Sequence, residues 1–252
     1  MKTIAIIQAR TDSTRLPGKV LKKLGNMLVI ERVVARLNEC KSLDDLVVAT
    51  SIENTDDELV SWCDNNQVKV FRGSLHDVLD RYYRAAIHYK AENIVRITGD
   101  CPLIDPQIVD KVIEEFQSGS FDAAGLHGEF PDGLDCQIFS IKAITTAWQK
   151  ATSETDREHV GSYIERTNPS LFRLCKVELF RGLGHHRWTL DEPLDFEFLS
   201  SLLKLLEAKY ENFYTTDVLD CLEQNPELLK INSSITRNAG YLQSLEREPR
   251  CG

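Results

Sequence analysis

The chain is most informative first in what it lacks. Nowhere in its 252 residues is there an apolar run of the roughly 18 residues that a membrane helix needs, and no membrane span is expected. The opening MKTIAIIQAR carries one lysine, a very short apolar stretch and no small-residue cleavage site, so it does not read as a secretion signal. Seven cysteines (40, 63, 101, 136, 175, 221 and 251) form no C-x-x-C pair and are odd in number. That pattern suits neither a disulfide framework nor a zinc site, and a reducing cytoplasm is the compartment expected. Positive charge is in deficit, with 30 Lys and Arg against 39 Asp and Glu. The net charge of -9 excludes a general nucleic-acid binder, though not a nucleotide held by a local basic patch. The phosphate-binding strings G-x-x-x-x-G-K-[ST] and G-x-G-x-x-G are also missing, which removes the main support for P-loop and dinucleotide-binding mechanisms. No internal repeat or low-complexity linker divides the chain.

What remains is an ordinary globular composition, 42% hydrophobic and 27% charged, long enough for one large domain over residues 1–252. Buried strands are expected at 4–7, 46–50, 68–71 and 93–98, with helices at 28–37, 56–62, 75–89 and 107–116 between and after them. Four strands alternating with helices predict an α/β fold, a mostly parallel Rossmann-like sheet with helices on both faces. Over 119–184 the strands shorten and two helices, 144–150 and 158–166, interrupt them. This mixed region is expected to extend the sheet and to form a lid or subunit contact. A further strand is expected at 185–191, then helices at 196–206, 216–223 and 240–245.

The stretch from Ile4 to Val20, IAIIQARTDSTRLPGKV, organises the rest. A strand at the N-terminus breaks into a loop with Arg10, Thr11, Ser13, Arg15 and Lys19, stopped by Pro17-Gly18. Guanidiniums grip phosphate oxygens bidentately, a lysine adds a mobile charge, and backbone N–H groups near glycine come close to an anion. Ligands of open α/β sheets bind at this end of the strands. A solvated basic turn is the plain alternative.

The string Gln8-Ala9-Arg10 followed by Ser13-Thr14-Arg15-Leu16-Pro17-Gly18-Lys19 resembles the signature loop of cytidylyltransferases that activate acidic sugars. The branch it is most similar to is that of spore-coat polysaccharide biosynthesis protein F, related to the Kdo and acylneuraminate cytidylyltransferases. The resemblance implies the nucleotide-diphospho-sugar transferase form of the Rossmann-like sheet. It also implies a loop that wraps the triphosphate of CTP, with Ala9 against the cytosine and Arg10, Arg15 and Lys19 on the phosphates. GDCPLIDP resembles the family's metal motif, whose aspartate, here Asp100, binds Mg²⁺. Mg²⁺ takes one or two protein carboxylates and fills its octahedron with phosphate oxygens and water. Leu190-Asp191-Glu192-Pro193-Leu194-Asp195 matches a late Asp-x-Pro-x-Asp string, with Glu192 where relatives usually carry Thr. Asp191 is expected as the second metal ligand, and Asp195 as a helix cap.

Arg15, Lys19 and Asp100 are therefore the expected catalytic residues. Gln8, Ala9, Arg10, Thr11, Ser13, Thr50, Ser51, Arg72, Gly73, Asp77 and Thr98 are expected with Arg15 and Lys19 around the nucleotide. Arg81, Asp132, Asp135, Arg157, Glu158 and His159 are the acceptor-side candidates, from DGLD, DREHV and the helix after Ser74. Plain alternatives stay open for these: an Asp77–Arg81 pair one helical turn apart, a turn at DGLD and a capped helix start at DREHV. His185 and His186 lack further ligands at metal spacing, and Cys101 and Cys136 read as small buried residues. The division that follows is a nucleotide-binding half (1–118), an acceptor-binding and dimerisation region (119–190), and a metal-site turn with C-terminal helices (191–252). The expected reaction is transfer of CMP from CTP to a small acidic or modified sugar, by a cytoplasmic homodimer, without nucleic acid or membrane. The rival readings are a glycosyltransferase, for which Asp132 to Asp135 has the wrong spacing for a D-x-D pair, and a non-catalytic nucleotide-binding module.

Overall fold

The computed structural model describes residues 1–237. The helix expected at 240–245 and Cys251 lie outside them. Strand β1 (Thr3–Gln8) leads through the basic loop to a two-stranded hairpin, β2 (Lys23–Leu24) and β3 (Met27–Leu28), then to α1 (Val29–Leu37), β4 (Asp45–Ser51), α2 (Asp57–Asn65) and β5 (Lys69–Gly73). Next come α3 (Val78–His88), β6 (Asn93–Thr98), α4 (Pro106–Gln117), β7 (Ala123–Leu126), β8 (Gln137–Ser140), α5 (Ile141–Lys150), α6 (Glu154–Glu158) and β9 (Leu174–Val177). The long α7 (Pro193–Lys209) and α8 (Thr215–Gln224) complete the order. No helix among the described residues is long and apolar enough to cross a membrane.

The main sheet has the order β5-β4-β1-β6-β8-β7-β9. β5, β4, β1 and β6 are parallel, β8 runs antiparallel to both β6 and β7, and β9 follows β7 in parallel. The parallel half is the one that alternation of apolar strands and helices predicts. The mixed region does extend the sheet, as its short strands suggest.

Strand alternation decides which side chains meet which helices. Ile4 and Ile6 of β1 join Val47, Ala49, Ile94 and Phe139 against α3 and α5. Ala5 and Ile7 face the other way, with Val48, Val95 and Ile97, onto α1, α2 and α4. A third apolar cluster holds α7 and α8 on Trp188, Leu190, Leu134 and Leu103. Burying both faces is what makes these strands read as continuous apolar runs.

Three local expectations change. The helix expected from residue 75 begins at Val78, because the Asp77 carboxylate accepts from the Asp80 N–H at 2.9 Å and caps it. The helix expected at 158–166 is instead α6, ending at Glu158, and a separate π-type turn over Tyr163–Thr167. The stretch 185–191 is extended but is no ladder strand. It forms one isolated bridge, Asp132 to Arg187, in which the Trp188 N–H donates to the Asp132 carbonyl at 2.6 Å, and its Leu190 N–H donates to the Asp100 carbonyl at 2.8 Å. It therefore stitches the loops that carry Asp132 and Asp100 together across the C-terminal edge of the sheet.

Gly99 lets β6 end there. A Cβ at this position would lie 2.8 Å from Ala9 Cβ and 3.2 Å from the Gln8 carbonyl. Gly99→Ala should therefore push β6 off the basic loop and destabilise the fold by about 1–3 kcal/mol, as overpacking does. Urea unfolding of the two proteins, compared at equal m-value, measures it.

Candidate active site

The loop after β1 is held by one buried carboxylate. Asp56 Oδ1 accepts from the Thr11 N–H (2.7 Å) and hydroxyl (2.9 Å), and Oδ2 from the Ser51 N–H (3.0 Å) and hydroxyl (2.5 Å). Burial works to raise its pKa, but the hydrogen bonds from Ser51 and Thr11 hold it below the ordinary carboxylate value. The loop also closes on itself, the Thr11 carbonyl accepting from the N–H groups of Ser13 and Gly18. Gly18 turns the chain at φ 66°, the left-handed region that glycine enters freely.

The turn delivers Lys19 to the centre of the site. Its ammonium lies 2.5 Å from Asp100 Oδ2 and 2.7 Å from Asp191 Oδ1, bridging carboxylates 91 positions apart. Burial lowers the pKa of this lysine, but the two carboxylates outweigh it and the net shift is upward. Burial likewise pushes Asp191 up, while Lys19, Arg15 and Arg187 bring it below the ordinary range. Arg15 reaches Asp191 at 3.3 Å and Glu192 at 3.2 Å. Arg10 is exposed and makes no hydrogen bond or ion pair among the described residues.

Behind Asp191 stands Arg187, 7% exposed. Its guanidinium donates to Asp195 from Nε (2.8 Å) and Nη2 (2.9 Å), to Asp132 (2.9 Å) and to Asp191 (3.3 Å). Asp195, fully buried, accepts from the N–H groups of Asp191 and Glu192 and from Asn232 Nδ2, each at 3.0 Å. The N-cap of α7 is Glu192 and not Asp195; Asp195, one turn inside the helix, accepts from the Glu192 N–H and at the same time fixes the backbone that presents Asp191. Burial and Asp135 push the Asp132 carboxyl up to about 6 despite Arg187.

The other expected contacts fall into three groups. Thr50 and Ser51 are fully buried at the end of β4, under the loop. Arg72 is held by the Asp57 carboxylate (2.7 Å) and two backbone carbonyls. Gly73 admits the stem of Arg81, which is 1% exposed and donates to the Ser74 carbonyl at 2.6 Å. Asp77 pairs with Arg157 Nε at 3.0 Å, not with Arg81. Thr98 has its hydroxyl 3.0 Å from the Cys101 thiol, while the Gln8 Oε1 is buried with no hydrogen-bond partner. On the acceptor side, Asp135 and His159 line a cavity of about 650 Å³ beyond β6, β7 and β8. Glu158 lies outside it, 4.0 Å from His159.

A metal at this edge would have to be held by the pair Asp100 and Asp191. No group of three or more His, Cys, Asp or Glu side chains suited to a metal exists among the described residues. Two carboxylates that already converge on one cationic group do fit Mg²⁺, which needs few protein ligands when phosphates supply the rest.

Residues 4–230 match the cytidylyltransferase family. The chain belongs to that family and is a nucleotidyltransferase. It is 39% identical to an uncharacterized protein of Methanocaldococcus jannaschii, over 95% of this chain and 98% of that one. It is 34% identical to the spore coat polysaccharide biosynthesis protein SpsF of Bacillus subtilis, over 88% of this chain and 94% of that one. A solved cytidylyltransferase of Leptospira borgpetersenii superposes with a TM-score of 0.87 at 32% identity, covering 94% of this chain and all of that one.

Sequence reasoning overlooked Asp56 as the loop's anchor and Arg187 as the support of Asp191. The signal for Arg187 was an arginine inside the otherwise apolar stretch around Trp188 and Leu190. Arg187→Met should cost about 3–5 kcal/mol, since it strands buried carboxylates, and a thermal melt reads it. Asp56→Asn removes a carboxylate whose folded pKa is held below the ordinary carboxylate value by the hydrogen bonds it accepts. Its stabilisation is complete above that value and is lost as pH falls through the folded pKa. Asp56→Asn should thus be less stable than the parent by about 1–3 kcal/mol at pH 7, and denaturant titrations at pH 7 and pH 3 should show the gap narrowing in acid.

Proposed function

We propose that the chain transfers CMP from CTP to an acidic or otherwise modified sugar, releasing pyrophosphate, in the synthesis of a surface polysaccharide or related glycan. The observation that carries this reading is the ammonium of Lys19 held between Asp100 and Asp191 at the mouth of a loop that also holds Arg10 and Arg15. Cations for a triphosphate and carboxylates for its metal stand at one sheet edge, where open α/β sheets bind ligands.

In this reading Arg10, which has no ion pair among the described residues, and Arg15, which is half-exposed beside Asp191 and Glu192, take the β- and γ-phosphates. Asp100 and Asp191 are the residues that would hold Mg²⁺, and bound there it would supply charge neutralisation for the phosphates. Lys19 leaves the carboxylate pair for a phosphate oxygen, keeping the site's charge in balance. The acceptor's hydroxyl oxygen then bonds to the α-phosphorus, the bond to the β-phosphate oxygen breaks, and the hydroxyl proton passes to a nearby base or to solvent. Positioning and charge neutralisation suffice, with no covalent protein intermediate. The buried, undonated Gln8 Oε1 supports a base bearing an exocyclic amino group, such as cytosine. Asp135 and His159, on the cavity wall, face the acceptor. The chain acts in the cytoplasm as a homodimer, and the name of the Bacillus subtilis relative supports a polysaccharide product.

The test is pyrophosphate release with Mg²⁺, scanning the four nucleoside triphosphates against ulosonic acids and neutral sugars. Release from CTP that requires an acceptor, and falls at least 100-fold in Asp100→Ala, is the expected result. Consumption of a nucleoside diphosphate-sugar in place of CTP would overturn the reading. Chelation of divalent cations should abolish release and their return restore it.

A further inference from the structure

Strand β6 reads Asn93-Ile94-Val95-Arg96-Ile97-Thr98, and the arginine in its middle is out of place. Ile94 on the same face packs in the apolar core under α3 and α5. Arg96 stands two residues on, where the core gives way to a polar floor. Its direct partner on β8 is Gln137, as Phe139 is the partner of Ile94.

The guanidinium is only partly satisfied. Nη1 donates to Gln137 Oε1 at 2.9 Å, and the buried Nε has no acceptor. No carboxylate lies within ion-pair distance of Arg96 among the described residues. Buried N–H donors without an acceptor are rare, and Arg96, half-buried as a residue, keeps one. The Glu165 carboxyl, bound to the same Gln137, is pushed up by burial.

Gln137 is fixed on three sides. Its Oε1 accepts from Arg96, its Nε2 donates to Glu165 Oε2 at 2.6 Å, and a Cβ on Gly161 would come within 2.9 Å of that nitrogen. The amide therefore has one orientation, and it aims Arg96. Across β8 the next strand offers Gly125 opposite Gln137, so no side chain from that position fills the space. Arg96, Gln137 and Glu165 all line the 650 Å³ cavity, with Asp135 and His159. The turn 131–135 joins this cavity to the Lys19 site, for Asp132 binds Arg187 and Asp135 stands on the cavity wall.

We infer that Arg96, aimed by Gln137, is the anion receptor of the acceptor pocket: it binds a carboxylate on the sugar and selects acidic acceptors over neutral ones of the same shape. This rests on the nucleotidyl-transfer reading above and adds the residue that discriminates. The guanidinium on the cavity wall offers the charged N–H donors that a carboxylate accepts. The polar side chains around it suit the hydroxyls of a sugar.

The test pairs 3-deoxy-manno-octulosonate and N-acetylneuraminate with their methyl esters, which keep the reacting hydroxyl but lose the charge. CTP-dependent pyrophosphate release is measured for the parent, Arg96→Gln and Arg96→Lys. The expected result is that the parent prefers acid over ester at least 10-fold in kcat/KM. Arg96→Gln should raise the KM for the acid 10-fold or more, with kcat and the KM for CTP within about threefold, and remove the preference. Arg96→Lys should restore part of it. An unchanged KM for CTP shows that the variants fold. Pyrophosphate released equally from acid and ester, or from neutral sugars alone, or a preference that survives Arg96→Gln, would overturn the inference while leaving the transferase intact. Release from no acceptor of either kind would remove the transferase reading, and this inference with it.

Discussion

Three chain segments far apart in sequence meet at the ammonium of Lys19. It lies between Asp100, at the end of the fourth parallel strand, and Asp191, ahead of the last long helices. A buried lysine flanked by two carboxylates leaves a net negative charge, and Arg15 and Arg187, both bound to Asp191, offset it. Each of these cations is placed by the backbone that carries it. Lys19 follows the left-handed Gly18, Arg15 sits in the loop that Asp56 ties down, and Arg187 lies in the extended stretch that crosses the sheet edge.

The same stretch explains why the site and the C-terminal helices are one structure. Trp188 and Leu190 are fully buried in the third apolar cluster, beneath α7, while the residues between and beside them bond to the loops. Asp195 belongs to α7 and holds the N–H groups of Asp191 and Glu192. Packing of α7 thus sets the position of the Asp191 carboxylate against Lys19. Apolar burial supplies the driving force, and the ionic network supplies the geometry.

Beyond this network the sheet edge changes character from strand to strand. At β1 and β4 it is closed, with Thr50 and Ser51 buried beneath the loop. At β6, β8 and β7 it opens into the cavity, because Gly125 contributes no side chain where its neighbours contribute Gln137 and Arg96. One edge therefore offers two kinds of surface, a cationic turn on one side and a polar hollow on the other. The reversed strand β8 is what brings the DGLD turn between them, since a strand entering from the opposite direction begins where its neighbours end.

Composition and order in the chain determined the α/β class, the four parallel strands and the basic loop, because doubly buried strands leave short continuous apolar runs and helices a period of 3.6. They also marked Asp100 and Asp191, each in a short string with its own prolines. Partnership was not written locally. Nothing near Asp77 says that its ion pair is Arg157, 80 residues away, and not Arg81 one turn along, and nothing near Asp56 says that it anchors Thr11. Stretch 185–191 has a strand's composition, yet it joins no ladder and bonds instead to the Asp132 and Asp100 loops and to α7, a choice made by what lies beside it after folding. The order of strands, and with it the meeting of Lys19, Asp100, Asp191 and Arg187, was decided only by the tertiary structure, since charges pair across space while sequence patterns report no further than a few turns of chain.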